Sequence, residues 1–400
     1  MQAELTLKKS PLSAMIEKLA AIEPIGLPFV SVYLNAQADN TGQDNYRAWL
    51  NTELSNAGAD YEQGSEQAES FKLDTERITE FLDNINPSAN GVAIFSCGMM
   101  DFFETAQFDA TIENNRFFAY DRPHIFPLAR LVGQNPRFAV VWADTNKADI
   151  YVFGGQAATE VQTADDTAQV EEIQNVKTQR QQQGGWSQQR FQRRVTNFHQ
   201  QHAKEVIEIL EKLVRDEEIE MVVLSGNETG ILQIIQDELP KTLIDKIIGT
   251  MNNDQYASEN ELKAAALEIV QKHDREQDRE AVARMIGAKE SSELGVTGVS
   301  ATLAALSNGQ VEELLILASP DRIRYNEENV EQVLEDYAPG DDNSLTDALP
   351  DTSEKRLILD ELIVRAYNSS ARIRFIEETS ILSGVGGVGA ILRYNITHHA

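Results

Sequence analysis

Hydrophobic and polar positions follow two different periods along this chain, and the two periods alternate. Residues 27–35 are rich in β-branched and aromatic side chains and predict a strand, while residues 11–21 have the three-and-four spacing of a helix. Residues 36–70 are polar and acidic with few large apolar side chains, which predicts an exposed helix or loop, and residues 71–85 again predict a helix. Helices and strands that alternate in this way predict an α/β fold built of layers.

The same patterns continue to the end of the sequence. Further strands are predicted at 91–98, 101–108, 117–120, 221–230 (ending in a glycine turn), 371–377 and 390–394, and further helices at 259–287 and 354–368. Residues 295–317 predict a helix and then a strand, separated by Asn308-Gly309. Residues 320–356 are acidic and contain Pro339 and Pro350, so we expect an insertion or a mobile loop there.

A domain boundary is predicted at Asn135-Pro136, because this dipeptide is typical of turns and loops. After it, residues 137–144 and 148–155 read as two strands joined by a short turn, which predicts a hairpin. A chain of 400 residues is too long for one typical core, and its length predicts roughly two to four domains.

The composition is that of an acidic globular protein. The chain carries 64 acidic and 35 basic residues, a formal net charge of −29, which favours solubility and repels nucleic acid at long range. We expect a cytoplasmic protein without a membrane partner, because no apolar run reaches bilayer length and the first residues lack the apolar core of a secretory signal. The single cysteine, Cys97, lies in an apolar context and is expected to be a buried thiol.

One segment departs from this acidic background. Residues 173–204, called the basic segment below, contain six Lys or Arg and no Asp or Glu, and they are rich in glutamine. Such a segment, leading into the N-terminus of a helix, suits a polyanion, since cationic side chains and free backbone N–H groups then meet the same ligand. We therefore expect the function to lie here, in a local contact with RNA.

A helix of about six turns is predicted behind this segment. Ser187 is placed to cap its N-terminus, and one apolar stripe is formed by Phe191, Val195, Phe198, His202, Val206, Ile209 and Leu213. The cations that fall off this stripe, and that could bind phosphate, are Arg190, Arg193, Arg194 and Lys204. The alternative is an ordinary surface helix whose solvent face happens to be basic.

Other motifs do not support a different chemistry. The sequence has no nucleophile elbow, no HExxH, no CxxC and no Walker motif. The glycines near residue 387 are followed by too few residues for a dinucleotide-binding unit, and a tight turn into a last strand is the better interpretation. His199 and His202 lie without a nearby cysteine or acid and are expected to be structural. We expect neither a metal nor a cofactor.

At GGWSQQRFQRR the sequence resembles the archaeal and eukaryotic class-1 peptide-chain release factor superfamily. The residues that match the family's Gly-Gly-Gln-Ser motif and the helix after it are Gly184, Gly185, Ser187, Arg190, Phe191 and Arg193. Residues 221–230 and 295–317 resemble the family's middle and third domains, and residues 28–35 resemble the first more weakly. The resemblance implies three α/β domains, 1–135, 136–276 and 277–400, each a mixed sheet with packed helices.

The chain departs from the family pattern at the catalytic glutamine. Trp186 stands at that position, and Gln188 follows two residues later, so that Gly185 to Gln188 is similar to the Gly-x-x-Gln of peptidyl-tRNA hydrolases that clear stalled ribosomal subunits. Residues 36–85 lack the Asn-Ile-Lys-Ser motif that reads stop codons, so stop-codon termination is not expected.

The resemblance implies a ribosome-associated translation factor. The candidate catalytic residues are Gly184, Gly185 and Gln188, and the candidate RNA-binding residues are Arg180, Trp186, Arg190, Arg193 and Arg194. Hydrolysis of peptidyl-tRNA on stalled ribosomes or subunits is one reading. A non-catalytic factor that occupies the tRNA site of idle ribosomes is the alternative. The ribosome and tRNA would bind the basic segment, and the resemblance of the third domain implies a translational GTPase or another protein as a possible further partner.

Overall fold

The computed structural model of the protein describes residues 11–24, 26–37, 46–85, 89–108, 110–144, 147–154, 168–170, 185–216, 219–226, 230–252, 258–291, 294–323 and 352–395. For residues 185–196 it describes the helical backbone. Three sheets, two with four strands and one with five, are found in this part of the chain, and helices pack on each of them. The predicted α/β fold class is confirmed.

The first sheet is an antiparallel layer buried on both faces. Its elements are α1 (Pro11–Ala20), β1 (Phe29–Asn35), α2 (Tyr46–Ala59), α3 (Glu66–Asp83), β2 (Gly91–Cys97), β3 (Phe102–Phe108), β4 (Arg116–Tyr120) and α4 (Phe126–Gln134). The strand order is β3-β2-β1-β4, with β4 at one edge. Val30 and Val32 of β1 pack under α2 and α3, whereas Phe29 and Tyr33 face the core that contains α1 and α4.

The middle sheet combines a hairpin with three parallel strands. Its elements are β5 (Phe138–Ala143), β6 (Ala148–Phe153), β7 (Ala168–Val170), α5 (Gly185–Asp216), β8 (Met221–Gly226), α6 (Ile231–Glu238), α7 (Lys241–Ile244), β9 (Ile247–Met251) and α8 (Glu259–Ser291). The strand order is β7-β6-β5-β8-β9, and β5, β8 and β9 run parallel. Helices α5 and α6 cover one face, and the first half of α8 covers the other. The hairpin of β5 and β6 is confirmed.

The third sheet is mixed, with the strand order β10-β13-β11-β12. Its elements are β10 (Gly295–Thr297), α9 (Val299–Ser307), β11 (Val311–Leu317), α10 (Thr352–Asn368), β12 (Arg372–Ile376), α11 (Thr379–Ser383) and β13 (Val388–Leu392). The helix and strand predicted around Asn308-Gly309 are thus confirmed, as are the helix predicted at 354–368, which is α10, and the last strand, β13. Most of the predicted insertion at 320–356 lies outside the described residues.

The described residues form two compact units. One contains the middle sheet, between Asn135 and Glu276, and the other contains the first and third sheets, up to Gln134 and from Gln277 onward. In the second unit a single hydrophobic cluster contains residues of both segments, the one that ends at Gln134 and the one that begins at Gln277. It extends in sequence from Leu12 to Leu392. The division into three domains stays a prediction.

Some predicted elements differ from those observed. The segment expected to be an exposed helix or loop contains α2, which buries Tyr46, Leu50 and Leu54. Helix α3 begins five residues before the predicted start, because the Ser65 hydroxyl accepts the backbone N–H of Ala68 and caps it at Glu66. Helices α4, α6, α7 and α11 and strands β7, β9 and β10 were not predicted. Cys97 is buried, as expected.

Candidate functional site

Helix α5 carries most of the candidate site residues. It runs for 32 residues from Gly185 to Asp216, which is about 48 Å. The predicted cap at Ser187 is wrong, because the helix begins two residues earlier and Ser187 lies inside its first turn. An N-cap residue needs an extended backbone, which is incompatible with this helical position. The first turn contains no acidic residue, so no side chain within that turn offsets the positive end of the helix dipole.

The second half of α5 anchors it to the middle sheet. The buried side chains on this face are His202, Ala203, Val206, Ile207, Leu210 and Val214, and they pack against β5, β6, β8 and α6. The predicted stripe is correct at His202 and Val206, which are buried. It is wrong at its C-terminal end, because Ile209 and Leu213 are only half-buried. Apolar residues occur in adjacent pairs along this helix, so the sequence allowed two stripes rotated by about 100°. The pairing with α6 and the sheet selects one of them.

Before His202 the described side chains of α5 are more exposed. Asn197, Gln200 and Gln201 are exposed, and Phe198 is half-buried beside His199, with ring centroids 6.2 Å apart. Within the described range, the first fully buried side chain of α5 is therefore about 25 Å from the start of the helix.

Lys204 is exposed, as the sequence predicted, but it is paired. Its Nζ lies 3.7 Å from Glu238 Oε2, on α6. Because that carboxylate already balances its charge, Lys204 is a poorer phosphate ligand than the arginines that precede it.

His202 joins α5 to the hairpin of the middle sheet. It is fully buried, and neither ring nitrogen has a hydrogen-bond partner among the described residues. Burial lowers the pKa of His202, and the nearby backbone of Lys147 and the carboxylate of Glu205 oppose this only in part. The neutral imidazole therefore packs as a core side chain below the turn between β5 and β6. In the part of the chain that is described, no group of three His, Cys, Asp or Glu could hold a metal.

Six of the predicted site residues lie in the first three turns of α5: Gly185, Trp186, Gln188, Arg190, Arg193 and Arg194. Arg180 and Gly184 lie outside the described residues. The helix thus places the Gly-x-x-Gln residues and three of the arginines on one rigid element, rather than on a loop followed by a helix.

Helical periodicity separates these residues into two sectors. At about 100° per residue, the Cα positions of Arg190, Arg193 and Arg194 fall within about 100° of one another around the axis, and Trp186 falls in the same sector. The Cα position of Gln188 lies roughly opposite, about 60° from that of Gly185. The basic positions and the glutamine position therefore face different directions at the start of the helix.

The sequence did not single out the turn between β5 and β6, which lies over His202. Lys147 Nζ is 2.8 Å from Asp149 Oδ2, and the Lys147 backbone N–H donates to Asp144 Oδ1 at 2.7 Å. The hairpin prediction was the available signal, but only the packing of α5 against the hairpin shows that the turn supports the helix.

No helix in the described ranges is long and apolar enough to cross a membrane.

Comparison with known proteins places the candidate site in a release-factor-like segment. Residues 123–271 match the model of bacterial archaeo-eukaryotic release factor family 10. This stretch contains the hairpin, the basic segment, α5 and the parallel strands. This part of the chain is therefore similar to a release-factor-like family. No curated protein matches the chain in sequence.

Three solved structures illustrate the similarity. An archaeal translation termination factor, aRF1, is 16% identical over 96% of this chain and 97% of its own, with a TM-score of 0.25. A Saccharomyces cerevisiae protein, Dom34, is 10% identical over 77% of this chain and 81% of its own, with a TM-score of 0.38. A ribosome-bound archaeal Pelota, in a structure that also contains ABCE1, is 12% identical over 97% of this chain and 96% of its own, with a TM-score of 0.41.

Proposed function

We propose that this chain, which is similar to a release-factor-like family over residues 123–271, binds the ribosome and tRNA with its basic segment and hydrolyses peptidyl-tRNA on stalled ribosomes or subunits. The observation that carries the proposal is the basic segment itself. It holds six cations and no acid in a chain of net charge −29, and it lies inside the release-factor-like match. A cytoplasmic protein with three domains, bounded at 135/136 and 276/277, is part of the same proposal.

The arginines supply the binding step. Arg190, Arg193 and Arg194 share one sector of α5, so their guanidinium groups can meet one RNA strand, and Arg180 adds a further cation. Guanidinium groups bind phosphate oxygens through two parallel hydrogen bonds. Trp186 lies in the same sector and offers a ring on which a base can stack. The acidic remainder of the chain repels RNA, so the contact is confined to this segment.

The start of the helix supplies the chemistry. The backbone N–H groups at the start of a helix have no partner within it, and in the described part of α5 they are those of residues 185–187. Such N–H groups can donate to the oxyanion that forms when water attacks the ester carbonyl. The Gln188 amide would orient that water, and Gly184 and Gly185 let the backbone approach the ester closely. A carbon–oxygen bond to water forms, the ester bond breaks, and the proton from water ends on the ribose oxygen of tRNA.

The separation of the two sectors fits this division of work. RNA phosphates bound by the arginines would lie on one side of α5, while the ester would lie near Gly185 and Gln188 on the other side. The ligand must therefore pass around the tip of the helix, which is the arrangement expected for the acceptor end of a tRNA that enters a narrow cavity.

A second function is favoured by one residue. Trp186 stands where the superfamily has its catalytic glutamine. A factor that occupies the tRNA site without hydrolysis would keep the arginines and the stacking ring but would not need the glutamine. Peptide release by the native protein separates the two functions.

Binding is tested first by co-sedimentation with ribosomes at several salt concentrations. Arg193→Ala should weaken binding and reduce the slope of log affinity against log salt by about 1, because one phosphate contact is lost. Lys212→Ala is the matched control, since Lys212 is an exposed cation about 28 Å further along α5. Equal effects of the two substitutions would contradict a phosphate contact at Arg193.

A protein partner of the third domain belongs to this proposal as well. The resemblance of residues 295–317 to the third domain of release factors supports a translational GTPase as the partner. Affinity capture from a lysate with the chain lacking residues 173–204 should still retain such a GTPase. Loss of capture together with the basic segment would contradict binding through the third domain.

A further inference from the structure

A small cavity lies at the edge of the first sheet, away from the basic segment. It has a volume of about 140 Å³ and lies between β4, the turn before β4 and helix α4. Its walls include the apolar side chains of Phe108, Phe126 and Leu131, and its exposed rim includes Thr111 and Asn114. The cavity therefore has an apolar body and a polar opening.

Two arginines line this cavity and form no close ion pair with a described carboxylate. Arg116 begins the edge strand β4, and Arg130 lies on α4. Across the residues that the structure describes, no carboxylate oxygen is found within salt-bridge distance of either guanidinium, although Arg130 interacts with Glu377 through its charge. Arg130 Nε is buried without a hydrogen bond. Most described arginines elsewhere in this unit do pair with carboxylates, for example Arg77, Arg279 and Arg284. A buried guanidinium nitrogen without a partner is costly, which indicates that a ligand completes the site.

The positive field of the two arginines reaches the neighbouring groups. Burial raises the pKa of Tyr33, which also lines the cavity, and Arg116 opposes that rise. Burial likewise raises the pKa of Glu377, and Arg130 opposes that rise while Glu113 adds to it. Among the described residues, the carboxylates named near the cavity, Glu113 and Glu377, are exposed to solvent, whereas both arginines are half-buried. Water therefore screens the acids more than it screens the arginines.

Size and charge define the class of ligand. A volume of about 140 Å³ is that of about five water molecules, which admits a tetrahedral anion with a few attached carbon atoms. A phosphate monoester carries a charge of about −1.5 to −2 at pH 7, which matches two guanidinium groups, while a carboxylate carries only half as much. Arginine also binds phosphate oxygens through two parallel hydrogen bonds. The apolar walls would contact the carbon atoms of the ester.

We propose that the cavity lined by Arg116 and Arg130 binds a phosphate monoester, either of a small metabolite or at the 5′ end of an RNA. The two guanidinium groups bind the phosphate, and Asn114 and Thr111 lie at the opening, where the remaining part of the ligand emerges. This site is independent of the proposed activity at α5.

The proposal is tested by calorimetric titration of the full chain with inorganic phosphate at pH 7.5 and constant ionic strength. Arg116→Gln and Arg130→Gln should each weaken binding about tenfold or more, because a hydrogen-bonded charge is removed from each. Arg322→Gln removes the same charge from an exposed position outside the cavity and should leave binding unchanged. Glu113→Gln removes a competing carboxylate from the cavity and should tighten binding, which keeps the test informative even if an arginine variant misfolds.

Two further ligands separate the sources of the phosphate. Binding of ribose 5-phosphate, or of a 5′-phosphorylated tetranucleotide, with the same dependence on Arg116 and Arg130 supports the proposal and names the source. Equal binding of the tetranucleotide without its 5′-phosphate overturns it, since a phosphodiester would then be sufficient. No heat of binding with inorganic phosphate on the order of 10 mM also overturns it, as does binding that is the same in native, Arg116→Gln and Arg130→Gln proteins.

Discussion

His124 Nδ1 lies 2.5 Å from Asp360 Oδ2, and both side chains are buried. The other oxygen of the same carboxylate, Asp360 Oδ1, accepts the backbone N–H groups of Ile125 and Phe126, each at 2.9 Å. Asp360 of α10 therefore caps the start of α4 from a position 234 residues away in sequence. One carboxylate links the segment after the first sheet to the helix that packs on the third.

Asp360→Ala should lower the free energy of unfolding by about 3–5 kcal/mol, because it leaves a buried imidazole and two buried N–H groups unpaired. Asp360→Asn should cost less, since its amide oxygen can still accept the two N–H groups of α4. Urea unfolding followed by circular dichroism measures both changes. Asp321→Asn is the control, because Asp321 is an exposed acid in the same unit. Equal midpoints for native and Asp360→Ala would contradict a structural role of the cap.

Asp74 is expected to destabilise the folded protein at neutral pH. Burial raises the pKa of this carboxyl from 3.8 to about 6, although the Ser96 hydroxyl donates to Asp74 Oδ1. Its other oxygen, Oδ2, has no partner among the described residues. An acid whose folded pKa is raised favours the protonated state, so stability is lost as pH rises from about 4 through about 6.

Asp74→Asn should therefore stabilise the protein by about 2 kcal/mol at pH 7.5 and by much less at pH 5, where the native carboxyl is mostly protonated. The measurement is the urea midpoint of both proteins at the two pH values. A gain of the same size at both would show that shape, rather than charge, is responsible, and a loss at pH 7.5 would contradict the burial argument.

His202 is expected to lower the stability of the folded protein in acid, whereas Asp74 lowers it at neutral pH. The pKa of His202 is lowered by burial, so the neutral form is favoured in the folded state, and stability is present above about pH 6.5 and lost as pH falls below it. The charged groups that face it are Asp144, from the hairpin, and Glu205, from α5 itself, and the backbone of Lys147 lies beside the ring.

His202→Leu should be neutral or stabilising by about 1 kcal/mol at pH 7.5, because two unpartnered ring nitrogens are replaced by apolar surface. It should also remove most of the acid sensitivity of the middle sheet between pH 7 and 5.5. Hydrogen exchange of β5 and β8 amides at both pH values would report this unit separately. A strong loss of protection in His202→Leu at pH 7.5 would mean that the imidazole makes a bond that the variant cannot replace.

The success of the sequence-based predictions depended on how local each signal was. The hairpin of β5 and β6 was found because its two apolar strands flank a short turn, and the pairing from Phe138 to Phe153 follows from that pattern. Helix α4 was missed because its cap comes from Asp360, and no local residue announces its start. Ser65, in contrast, was a local cap for α3 that the apolar pattern alone did not reveal.

The candidate site shows the same limit. The acid-free basic segment could be read directly from the sequence, and so could the helix behind it. The sequence did not reveal which face of that helix is buried. Adjacent apolar pairs such as Ile209 and Leu210 allow two orientations, and only packing against the sheet selects Leu210. The roles of Gln188 and of the arginines stay predictions.

The most direct measurement is the release of labelled peptide from peptidyl-tRNA on stalled large subunits and whole ribosomes. Native protein should release the peptide, and Gln188→Ala should abolish release while ribosome binding persists, because only the residue that orients water is lost. Gln200→Ala, an exposed glutamine on the same helix, should release peptide like the native protein. Binding without release by the native protein would contradict the hydrolase and leave a factor that occupies the tRNA site.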